Sequence, residues 1–243
     1  MGGKAQRNSD TIGDEKDGDT ERINNMFVIM IDKKDLFDKK SSVNAKSDLT
    51  PKRSVSFIEK PEDQSAERAL FGGAIASTFP LRFQDISNVR EVPDNREVFV
   101  DPMRDESLIF ELLELKVGVA DNASATWFLQ DLAREQDAEG NVVIEQSGVF
   151  QAEGLHFRNM PAVVTTAAIS KGRQGREAQN LVRVYLANLR LKEVDTDVVI
   201  VANEPIYINP LSESASAVGA GLAVPAAQSG CMAMADVFTK CSL

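Results

Sequence analysis

Glu111 and Glu114 stand three residues apart with Phe110 beside them, and this group is where residue types point most directly to a chemistry. Two carboxylates next to an aromatic suit recognition of a basic surface, because charge steers the encounter and the ring anchors it. The same residues also read as a solvated acidic face, with Phe110 tucked under a loop. Covalent catalysis has less to draw on. The single histidine, His156, has no Ser or Cys in a recognisable nucleophile motif to work with, so it reads as structural. Cys231 and Cys241 complete neither a disulfide framework nor a zinc site. Carboxylates are so numerous that no pair stands out as acid and base. Gly172-Arg173-Gln174-Gly175, between Lys171 and Arg176, has the spacing of a single-strand RNA clamp. Strand-like runs flank it and no basic patch surrounds it, so a hairpin tip is expected. No catalytic, cofactor-binding or metal-ligating residue is expected.

The elements that must position these residues follow from periodicity. Residues 105–117 predict a helix, with Leu108, Ile109, Leu112, Leu113 and Leu115 on one core face at 100° per residue. Asp105 and Glu106 occupy its first turn, where the dipole favours acids. Ser107, Phe110, Glu111 and Glu114 then fall on the outer face, the two glutamates as surface neighbours. A second helix is expected over 124–137. Strand-like runs cover 70–75, 97–100, 142–144, 162–169, 181–191 and 196–202. The first is interrupted by Gly72 and Gly73, which suggests a bulge. In the fifth, Val182, Val184 and Leu186 alternate with Arg183 and Tyr185, the pattern of a sheet with a buried face. Residues 170–180 read as a hairpin connection, and 232–240 as a final helix. Together these predict an α+β fold, an antiparallel sheet with helices packed against it.

The 243 residues carry a formal net charge of −10, which disfavours nucleic acid and favours a basic partner. Residues 1–68 hold 13 Lys and Arg against 14 Asp and Glu, and residues 69–243 hold 14 against 23. From Asp85 to Glu114 there are nine acids against Arg90, Arg96 and Arg104, so most of the excess is local. Residues 1–68 are polar and without sustained period, and are expected to be a disordered extension before a domain over 69–243. Within that extension, Met26 to Ile31 reads as a short strand, and the basic residues before Ser54 and Ser56 as a solvated linker. No run approaches the ~20 apolar residues that span a bilayer, and no secretory signal is visible. A monomer without membrane or cofactor, in nucleus and cytoplasm, is expected.

Three ordered blocks carry a family likeness: Leu70 to Ile75, Asp85 to Phe99 with its Val92-Pro93-Asp94 core, and Ser107 to Glu114. They resemble the signatures of the Mog-type Ran guanine-nucleotide release factors, and the likeness spans roughly 69–240, the later part resembling plant members. Residues 1–68 have no counterpart in the family pattern. The resemblance implies a Mog/PsbP-like fold, a central antiparallel sheet with helices on both faces. It also implies binding of the GTPase Ran and promotion of nucleotide release, in support of nuclear import. The family's acidic Ran-binding surface would fall on Glu111 and Glu114, with Phe110 beside them and Asp94 and Glu97 in the preceding block. Two other readings share the fold: a PsbP-like subunit of the thylakoid lumen, and a membrane-protein trafficking adaptor using the same surface. The 14 acids within 1–68 argue against a transit peptide, and so against the first.

Overall fold

The computed structural model describes residues 63–135 (save 88 and 90), 142–150, 160–170 and 175–241. His156, Gly172, Arg173, Gln174, the run Met26 to Ile31 and the Ser54–Ser56 segment lie outside these. Eight strands form one sheet in the order β3 (Gln84–Asp85), β4 (Arg96–Asp101), β5 (Glu106–Glu114), β9 (Thr196–Ile208), β8 (Gln179–Leu191), β7 (Met160–Ser170) and β6 (Val142–Phe150). The eighth strand, β10 (Gly221–Leu222), pairs with the end of β9. All pairings are antiparallel. A separate hairpin, β1 (Ser65–Leu70) with β2 (Ile75–Pro80), stands beside the sheet.

Both faces of the sheet are covered. The helix α1 (Ser124–Glu135) buries Ala125, Phe128, Leu129 and Leu132, spaced at helical intervals, against Ile109, Val184, Leu186, Val199 and Val201. On the opposite face, β1, β2 and the helix α3 (Met234–Lys240) bring Leu70, Phe79, Met234, Val237 and Phe238 onto Phe99, Phe110 and Ile200. Beyond α3, burial pushes the Cys241 thiol up to about 12. Between β9 and β10 lies the short helix α2 (Ser214–Val218).

Three sequence expectations change. Residues 106–114 form the strand β5 rather than a helix. With β4 on one side and β9 on the other, and both faces covered, the strand is buried without a break from Glu106 to Glu111. Such strands read as continuous apolar runs. The acids expected in a first helical turn do other work: Asp105 ends the β4–β5 turn at φ 57°, and Glu106 is buried. Residues 70–75 are not one bulged strand but the tip of the β1–β2 hairpin. Phe71–Gly73 turn the chain at positive φ, 51° at Phe71, 67° at Gly72 and 95° at Gly73, a conformation that glycine adopts freely. The last helix starts two residues later than expected, at Met234.

Candidate partner-binding site

Along a strand, successive side chains point to opposite faces, so residues three apart never share one. The strand assignment therefore separates Glu111 from Glu114. Phe110 points into the core beneath the β1–β2 hairpin, its ring 5.9 Å from Phe79 and 6.2 Å from Phe99. It is fully buried, which overturns its expected role as an exposed anchor. Glu111 points the other way, under α1, where it is 2% exposed. The strand register sets it directly opposite Arg96, whose guanidinium donates to its Oε1 at 2.5 Å. Burial pushes the Glu111 carboxyl up from the ordinary glutamate range, and the Arg96 charge opposes that push.

Glu97 lies opposite Phe110 in the β4–β5 register and so shares its face. Its Oε1 accepts a 2.7 Å hydrogen bond from the Phe71 backbone N–H, tying the hairpin tip to the sheet. Only Asp94 and Glu114 of the five sequence candidates are exposed. Because β4 and β5 run antiparallel, residues just before Arg96 and just after Glu111 lie at the same end of the sheet. Asp94 and Glu114 are thus brought together at one end, and no described residue forms an ion pair with either.

The β8–β9 turn joins them there. Glu114 pairs with Thr196, and the Leu115 N–H donates to the Asp195 carbonyl at 2.9 Å. This places the exposed acid Asp195 beside Glu114, with exposed Glu193 in the same turn. Sequence reading missed both, although a polar Lys192-Glu193-Val194-Asp195 turn between two strand runs is a visible signal. Buried Asp197 fixes this end: it accepts from the Lys116 backbone N–H at 2.9 Å and from Asn188 and Arg190 at 3.1 Å. Arg190 in turn donates to the Lys116 and Val119 carbonyls, at 2.7 and 2.5 Å. The strand end bearing Glu114 is held on both sides while its carboxylate stays in water. Such an arrangement presents negative charge on a rigid support, which suits binding of a cationic surface. Among the described residues, no group of three His, Cys, Asp or Glu side chains is placed to hold a metal ion. No helix there is long and apolar enough to cross a membrane.

These features define an α+β protein with one doubly covered antiparallel sheet and an acid-rich sheet end. Residues 68–205 match the family model of the Ran-interacting Mog1 protein, and the chain belongs to that family. A Ran guanine nucleotide release factor of Danio rerio is 38% identical over 61% of this chain and 83% of its own length. The nuclear import protein MOG1 of Saccharomyces cerevisiae is 33% identical over 62% of this chain and 71% of its own. The crystal structure of the yeast Ran-binding protein Mog1p is 26% identical, with a TM-score of 0.46 over 59% of this chain and 78% of that one.

Proposed function

We propose that this protein binds the GTPase Ran and promotes release of its guanine nucleotide, in support of nuclear protein import. The family match over residues 68–205 carries this reading, and the Danio rerio and yeast relatives bear names of that function. The protein acts as a monomer in nucleus and cytoplasm, on a basic surface of Ran, without covalent chemistry. Glu114 and Asp94 make the contacts. Glu111 and Glu97 act through the scaffold, holding β4, β5 and the hairpin tip in register, and Phe110 packs the core behind them. Release follows from linkage: if the protein binds Ran more weakly when nucleotide is present, nucleotide binds the complex more weakly by the same factor. A tenfold loosening needs about 1.4 kcal/mol of differential affinity.

The test follows release of a fluorescent guanine nucleotide from Ran as this protein is added. Wild type should accelerate release. Asp94→Lys with Glu114→Lys should remove the acceleration and leave the melting temperature in place, because both side chains are in water. Unchanged acceleration in that variant would sink the assigned surface. No acceleration by the wild type would sink the release-factor reading itself.

A further inference from the structure

The opposite end of the sheet carries a groove that the Ran reading does not use. It encloses about 280 Å³ between the β4–β5 turn (Met103, Arg104), the end of β9 (Ile208), α2 (Val218) and the β10 segment (Leu222, Val224). Its rim is apolar and wet: Met103 is 63% exposed, Leu222 81% and Val224 64%. Grouped apolar side chains of this size in water mark a surface that something covers. The polar groups on the wall are already engaged. Arg104 pairs with Asp101 at 2.8 Å and donates to Ser229 Oγ and Cys231 Sγ at 2.9 Å. The occupant that fits is therefore an apolar one.

We propose that the occupant is this chain's own segment Met26 to Ile31. Met26-Phe27-Val28-Ile29-Met30-Ile31 is the longest apolar run in the stretch 1–62, which precedes the described structure. That stretch joins the fold at Asp63, which a chain of ion pairs links to the groove wall. The Asp63 carboxylate pairs with Arg82 at 2.9 Å and accepts from the Met232 backbone N–H at 3.1 Å. Arg82 pairs with Asp101 at 3.3 Å, and Asp101 with the groove residue Arg104. Three ion pairs thus lead from the point of entry to the groove wall. Residues 32–62 lie between Ile31 and Asp63, and a coil of that length reaches about 30 Å. Tethering at that length raises the local concentration of the run to the millimolar range, so modest apolar burial suffices to hold it. Charge does not oppose it. The network behind the groove sets Asp63, Asp101 and Glu106 against Arg82 and Arg104, and the residues that follow the run, Asp32, Lys33, Lys34 and Asp35, cancel in charge.

Disulfide trapping in the full chain tests this without Ran. Ile29→Cys is combined either with Leu222→Cys in the groove or with Val117→Cys, an exposed position just past β5 at the other sheet end. Seating in the groove predicts intramolecular disulfide formation about tenfold faster for the Leu222→Cys pair than for the Val117→Cys pair. Adding Met103→Asp and Val224→Asp should bring the faster rate down to the slower one. Equal rates for the two pairs would overturn the proposal. A disulfide formed between two chains rather than within one would overturn it in favour of a second copy.

Discussion

The two ends of the β4–β5 hairpin handle charge in opposite ways. At the turn, the Arg82 side chain is 3% exposed and faces Asp63, Asp101 and Glu106, all of them buried. Its Nη2 also donates to the Met232 carbonyl at 2.9 Å. This cluster joins residues from the N-terminal edge, the central strands and the C-terminal segment. At the far end Arg96 pairs with Glu111 beneath α1 and Arg190 with buried Asp197, and beyond these pairs Asp94 and Glu114 stand in water. The same two strands therefore bury their charge in pairs around the turn, and at the other end add exposed carboxylates beyond a buried pair. A carboxylate's job here is set by its burial and partner, not by its position in an acidic run.

Removing the hub of the cohesive end should have the largest effect. Arg82→Met strips buried Asp63 and Glu106 of their counter-charge and leaves Asp101 with Arg104 alone, at a cost of about 3–5 kcal/mol. Chemical denaturation should show it, and a midpoint matching the parent would contradict the cohesive role. Arg96→Met strands Glu111 under α1 and should cost about 3 kcal/mol. Arg96→Met combined with Glu111→Leu removes both charges and should recover most of that loss. If the double variant is no more stable than the single one, the pair does more than neutralise itself.

The smallest of the three effects is in pH dependence. Burial, partly offset by Arg82, raises the Glu106 carboxyl to about 7. The folded state therefore holds the Glu106 proton more tightly than the unfolded chain does. That contribution is complete below the unfolded value and is lost as pH rises through about 7. Between pH 5 and pH 8 the wild type should lose on the order of 2 kcal/mol through this group. Glu106→Gln mimics the protonated form and should flatten the profile. An equal slope in both proteins would place the proton elsewhere in the cluster.

Much of the sheet is legible in the sequence. Runs at 142–144, 162–169, 181–191 and 196–202 all fall inside observed strands, and 170–180 includes the connection between β7 and β8. The expected helix at 124–137 appears as α1. The miss at β5 has a physical cause. Leu and Glu are good helix formers, and Leu108, Ile109, Leu112 and Leu113 satisfy a 3.6-residue period. A strand buried on both faces loses its alternation, so the central strand is the one whose own signal is weakest. The error carries through to the site. Helical spacing makes Glu111 and Glu114 neighbours and puts Phe110 outside, whereas strand spacing puts Phe110 in the core and divides the glutamates. Asp94 and Glu114 survive as exposed candidates because both lie where the strands end. Asp195, with Glu193 in its turn, is invisible as a neighbour, since only the β5–β9 pairing brings it to Glu114.

That pairing also shapes how the molecule assembles. Strands β3, β4 and β5 follow one another as a meander, and β6, β7, β8 and β9 form a second. The turn 102–105 connects β4 to β5, whereas the whole of 115–195 lies between Glu114 and its partner Thr196. Closing the longer loop costs about 2–3 kcal/mol more in chain entropy than closing the shorter. The two meanders close through nearer neighbours in the chain, and the β5–β9 ladder is the topologically remote pairing. The acid-rich end is assembled in that same pairing, so its exposed carboxylates come together only once the two halves of the chain have met.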